Sequence, residues 1–174
     1  MHLFITQDSP KLIKKLGIIL ILLIACGCKD DARSRLNSLA KGEIALPSGN
    51  ILNVYVAKSP IEQLNGLSRV PSDIFGDKDS MLFTGNEYKP RQFWMPETHF
   101  NLDIIFLTKD FYVLDVHRNL KSFPKSEPRS IVPRSKMVNS WHVLEIKSSS
   151  NYAKEIRPGV TLKWKGPSDL LQIE

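Results

Sequence analysis

Cysteine is nearly absent from the 174-residue chain: Cys26 and Cys28 are the whole complement, and both precede the stretch expected to fold. A disulfide framework is therefore excluded as what holds the domain together. Also missing is an apolar run of the roughly 20 residues that a helix needs to cross a bilayer; the run Leu16 to Ala25 has ten. No Gly-x-Ser-x-Gly elbow, His-Glu-x-x-His pair or serine–histidine–aspartate order occurs, so none of the familiar hydrolase signatures applies. His99, His117 and His142, with Met81, Met95 and Met137, show no His-x-His or Met-x-x-Met spacing. That argues against a copper(I) site, and no metal or cofactor is expected. Internal repeats and low-complexity tracts are lacking too.

What is present begins with a leader. Lys11, Lys14 and Lys15 precede the ten-residue apolar run, which has the length of a signal-peptide core. Leu23-Ile24-Ala25-Cys26 resembles a bacterial lipobox, which implies cleavage before Cys26 and acylation of its sulfur. Cys28 is the poorer candidate, because Ala25 and Cys26 would then stand at −3 and −2. Two or three acyl chains anchor a protein stably where one does not. Residues 1–25 are thus expected to be a lipoprotein signal peptide, 26–42 a flexible polar tether, and 43–174 a single domain of common size. Removing the leader takes away three lysines and one aspartate, so the net charge falls from +6 to +4. The basic tract Arg118, Lys121, Lys125, Arg129, Arg134, Lys136 carries no interleaved aromatics at stacking spacing. It reads as a solvated loop near anionic headgroups, and nucleic acid is not an expected partner.

Within the domain, Ile44-Ala45-Leu46 and Ile51 to Ala57 flank Pro47-Ser48-Gly49-Asn50, a hairpin pattern. Ser59-Pro60-Ile61-Glu62 has a capping residue, a proline at the first helical position and a glutamate that closes a capping box. Ile61, Leu64 and Leu67 would form that helix's apolar face. Met81-Leu82-Phe83, Phe93-Trp94-Met95, Leu102 to Leu107, Phe111 to Val116, Trp141 to Ile146 and Val160 to Trp164 read as short strands. Lys121 to Met137, with three prolines, reads as a long loop, and Ser150 to Ile156 as one or two helical turns. The expected fold is α+β and mainly β: a compact antiparallel domain, barrel-like or sandwich, with one or two short helices.

The centre of the pattern is Phe93-Trp94-Met95-Pro96-Glu97-Thr98 followed by Leu102-Asp103-Ile104-Ile105-Phe106-Leu107. A carboxylate in so apolar a run needs a partner. Arg69 is the expected one, with Asp103 and Ile105 sharing one face of the strand. The candidate pocket comprises Trp94, Met95, Thr98, Asp103, Arg69 and Glu145, in a cleft facing the 121–137 loop.

Glu62-Gln63 with Gly66-Leu67 and Arg69, Met81-Leu82-Phe83, Phe93-Trp94-Met95 with Thr98, Leu102 to Leu107, Val143-Leu144-Glu145 and Gly159 together resemble the bacterial and archaeal family called domain of unknown function 192. The resemblance implies a small β-rich domain, exported or membrane-anchored, and brings no reaction with it. Ser68 replaces the usual methionine, Ser80 a glycine, and Pro96-Glu97 the usual Lys-Asn. Two functional classes follow. One is a non-catalytic, lipid-anchored envelope domain that binds a small ligand or an envelope protein. The other is a small acid–base hydrolase of envelope material with Asp103 as general base. Gly27 after the acylated cysteine, where an inner-membrane retention aspartate would stand, favours the outer membrane if the cell has two.

Overall fold

A computed structural model describes residues 30–125, 128 and 130–171. The leader, Cys26 and Cys28 lie outside the described residues. Strand exceeds helix, 37% against 19%, so the domain is mainly β, built on a curled seven-stranded half-barrel. The strands are β1 (Ala40–Ala45), β2 (Ile51–Ala57), β3 (Asp79–Phe83), β4 (Lys89–Arg91), β5 (Leu102–Leu107), β6 (Val113–Leu120), β7 (Val138–Ser140), β8 (His142–Lys147) and β9 (Lys163–Trp164). The main sheet runs β6-β5-β8-β3-β2-β1-β9, and β4 pairs with β7 in a small second sheet. Its pairs are antiparallel except β2 with β3, which is parallel.

The β1–β2 hairpin forms as the sequence predicts, with Ile44 opposite Leu52. The helix α2 (Pro60–Asn65) starts on the expected capping box: the Glu62 amide donates to Ser59 Oγ at 3.3 Å, and Glu62 Oε2 accepts the Ser59 amide at 2.8 Å. It stops at Gly66, whose φ of +45° turns the chain so that Leu67 enters the core. The rest of the expected apolar face stays outside: Ile61 and Leu64 are about 60% exposed.

Three expectations need correction. Within the segment 26–42, read as a tether, residues 30–38 form a helix (α1) and β1 starts at Ala40. Ala32, Leu36 and Leu39 are buried, and the last two join the core. Polar residues fill its outer face, which hid a three-residue apolar stripe at i, i+4 and i+7. Phe93-Trp94-Met95 is not a strand; it makes one bridge, Trp94 to Arg134, and the Met95 amide bonds the Pro133 carbonyl. Residues 133–135 of the expected loop therefore pack directly on this segment, where a cleft was expected. The last strand is only two residues long, whereas Val160 to Trp164 was expected.

Both faces of the sheet are covered. Met81, Phe83, Met95, Leu102, Ile104 and Phe106 pack on one, and Leu82, Ile105, Leu107, Leu144, Ile146 and Leu162 on the other. Every residue of β5 and of β8 is buried. These central strands thus read as continuous apolar runs, and the acids within them are forced into the interior. Among the described residues no helix is long and apolar enough to cross a membrane.

Candidate functional site

The six residues singled out in the sequence divide between two places. Asp103 is 3% exposed and lies at a β-bulge, where Arg118 and Asn119 of β6 together oppose it. Both residues point donors at the carboxylate: Arg118 Nη1 at 2.5 Å from Oδ2, and the Asn119 amide at 2.8 Å from Oδ1. Asn119 adopts φ +53° to do so. Arg118 also donates to the Ala153 carbonyl at 2.8 Å and to the Ile156 carbonyl, tying the strand end to the 3-10 turn Tyr152–Glu155. The partner of Asp103 is therefore Arg118 and not Arg69. An open groove of about 710 Å³ passes this pair, lined also by Phe100, Asn101, Ser148 and Lys154.

Arg69 is engaged elsewhere. Its Nε lies 2.9 Å from Glu97 Oε2, and its amide donates to the Glu97 carbonyl at 2.8 Å. Both residues have positive φ, +59° and +50°. The pair locks the turn after α2 to the turn after Trp94.

Behind that lock lies a second, narrower cavity of about 40 Å³, where Trp94, Met95, Thr98 and Glu145 do come together. Gln63, Leu64, Ser68, Phe83, Phe93 and Pro96 complete much of its wall. Met95 is wholly buried and Thr98 nearly so, while Trp94 is half-buried with the Arg134 guanidinium 5.5 Å from its ring centre. Phe83 and Phe93 meet edge to face at 4.7 Å. Two of the sequence's departures from the family pattern, Ser68 and Pro96, are wall residues here.

Glu145 is the chemical centre of this cavity. It sits on β8 opposite Ile104, 4% exposed, and among the described residues its side chain has no hydrogen-bond or ion-pair partner. Burial raises its carboxyl to about 8. Gln63 is the residue whose part the sequence did not reveal. Its Nε2 donates to the carbonyls of Ala57, Lys58 and Thr84 at 3.2, 3.3 and 2.9 Å. The family-like Glu62-Gln63 pair was its only signal.

Three residues before Glu145 on the same strand, His142 is buried against the other layer, stacked on Phe111. Its Nδ1 accepts the Gly85 amide at 3.0 Å. Burial, with Arg91 and Lys109 nearby, lowers it to about 4, so the ring is neutral at pH 7. No group of three or more histidine, cysteine, aspartate or glutamate side chains converges among the described residues. The basic tract is partly committed internally as well: Arg118 binds Asp103, Lys136 pairs with Asp115, and Arg134 covers Trp94.

A family model described as Uncharacterized ACR, DUF192, matches residues 44–164. A solved structure from Sinorhizobium meliloti, described as a candidate transcription regulator, superposes with TM-score 0.58 and 28% identity, covering 73% of this chain and 95% of that one. A protein of unknown function from Novosphingobium aromaticivorans gives TM-score 0.55 and 27% identity, covering 72% and 85%. No curated protein matches this chain.

Proposed function

The chain belongs to the DUF192 family, and for it we propose a non-catalytic role: a lipid-anchored envelope domain that takes a ligand or partner group into the Glu145 cavity. One observation carries this reading. Glu145 is a buried carboxyl with no partner among the described residues, and it lines a cavity whose wall includes a half-buried tryptophan. An unpaired buried acid is costly, and a group entering from outside supplies the partner that the fold does not.

The anchor rests on the lysine-flanked apolar run and on Leu23-Ile24-Ala25-Cys26. Gly27 directs the acylated chain to the outer membrane in a cell that has one. The acid–base alternative built on Asp103 finds less support, because both oxygens of that carboxylate are engaged and no histidine or second carboxylate lines its groove among the described residues. A transcription-regulating role of the kind named for the Sinorhizobium protein is not favoured, since a surface for nucleic acid would draw on a basic tract with three of its cations turned to internal partners.

Two measurements test the proposal. Metabolic labelling with an alkyne fatty acid is expected to mark the wild type and Cys28→Ser but not Cys26→Ser; a labelled Cys26→Ser protein overturns the anchor. Hydrogen exchange on the detergent-purified full chain is expected to slow at residues 63–68 and 93–98 when envelope extract is added. Unchanged exchange there removes the binding role.

A further inference from the structure

We propose that the Glu145 cavity receives a primary ammonium group carried on an alkyl chain. This deepens the binding-domain reading by naming the ligand's chemistry, and it rests on that reading.

Three wall residues offer acceptors. Gln63 has its amide nitrogen committed to three backbone carbonyls, which leaves Oε1 as its remaining polar atom. Thr98 Oγ1 donates to the Pro96 carbonyl at 3.3 Å, which leaves its lone pairs. Glu145 adds a carboxyl without a partner among the described residues. Among the described residues no lysine, arginine or histidine lines the cavity, although the chain as a whole is basic. An alkylammonium has three donors and no acceptor, the complement of these three groups. A carboxylate or phosphate would find no cation to meet it.

Size narrows the class. At about 40 Å³ the cavity is narrow, which favours a compact head group. Phe93 supplies aromatic surface toward which a cation is drawn, whereas Trp94 already carries the Arg134 guanidinium. Leu64, 59% exposed where it lines the same space, offers apolar contact to the aliphatic stem. A metal ion is disfavoured, since among the described residues the wall provides one carboxylate and one thioether but no imidazole or thiolate.

Two sources share this chemistry: a lysine side chain of a partner, and the aminoethyl head of a phospholipid. The second gains from position. Arg35 of α1 donates to the carbonyl of Ser68 in the cavity wall. Only three residues separate Cys26 from Asp30, four steps that span at most about 14 Å. An acylated Cys26 would hold the cavity close to the headgroup layer.

The test is calorimetric titration of the detergent-purified full chain with n-butylammonium chloride between pH 6 and 9. The carboxyl must lose its proton to pair with the cation, so affinity should rise about tenfold per pH unit up to pH 8 and then level. Parallel titrations in two buffers of different ionisation enthalpy should show one proton released per site at pH 7. Glu145→Gln should weaken binding at least about tenfold and abolish the pH slope. Tighter binding of Nα-acetyl-lysine amide assigns the guest to a protein, and tighter binding of vesicles containing phosphatidylethanolamine over phosphatidylcholine assigns it to lipid. Absence of butylammonium binding, a slope of the opposite sign, or preference for butyrate overturns the proposal. If envelope extract still protects residues 63–68 and 93–98 in that case, the binding domain stands and only the ammonium assignment falls.

Discussion

Asp103 and Glu145 occupy paired strands one register position apart, Asp103 opposite Ile146 and Glu145 opposite Ile104, and so they face opposite sides of one sheet. Each lies in an apolar run and each is nearly inaccessible. One has both oxygens engaged by protein donors, and the other has no partner among the described residues. The same local sequence logic thus yields a structural acid on one face and an available acid on the other.

Asp103 and Arg118 should behave as one structural unit. Asp103→Asn leaves the guanidinium without its carboxylate and should lower stability by about 2–3 kcal/mol, below the full figure for a buried pair because Arg118 keeps partial solvent access. Arg118→Met should cost a similar amount, and the double variant less than the sum. Arg69→Lys, by contrast, should change stability by under about 0.5 kcal/mol, since its side chain is largely exposed. Urea midpoints of the four variants decide the assignment. A larger loss for Arg69→Lys than for Arg118→Met would reverse it.

The sequence made Asp103 and Glu145 visible because a lone acid among aliphatic residues is conspicuous. It could not reveal Arg118, which lies in a basic, polar stretch and reaches Asp103 only through a bulge that depends on Asn119 at positive φ. The β1–β2 hairpin and the α2 cap were legible because turn and capping chemistry are local. Lys89–Arg91 and Val138–Ser140 were not, since three-residue strands carry too little alternation to register. The Phe93–Met95 cluster has the composition of a strand, but its backbone bonds go to Pro133 and Ser135 carried by the loop. Trp94 was expected beside Asp103; it lines a cavity with Glu145 because Glu145 faces the layer that contains Met95.

The cap on α2 should matter for the cavity as well as the helix. Ser59→Ala removes one half of the capping box and should reduce stability by about 1 kcal/mol. Because α2 carries Gln63 and Leu64, hydrogen exchange at residues 60–66 should quicken more than in β5 or β8. Uniform quickening across the chain would instead mean that the helix opens only with the whole domain.

Glu145→Gln should stabilise the unliganded protein. The folded carboxyl holds its proton to about pH 8, whereas the unfolded chain releases it near 4.5. Wild-type stability therefore falls as pH rises between these values, by about 1.4 kcal/mol per unit, or about 3 kcal/mol at pH 7. The variant should show that gain at pH 7 and none at pH 4. Equal stability of the two proteins at both values would place the Glu145 carboxyl in a far more polar setting than its burial implies.

His142 supplies the opposite slope from the same strand. Its folded value of about 4 lies below the unfolded 6.5, so the unfolded state binds the extra proton between those values and stability rises with pH there. Over roughly pH 4.5 to 6.5 the Glu145 and His142 contributions cancel, and the wild type should show little pH dependence from this pair. His142→Asn keeps an acceptor for the Gly85 amide but cannot titrate, so stability should fall from pH 4.5 onward as Glu145 acts alone. Glu145→Gln should instead rise through that window, and the double variant should be flat. Urea denaturation of the three variants at half-unit pH steps measures both slopes directly; parallel curves for the two single variants would show that neither group is shifted as its burial requires.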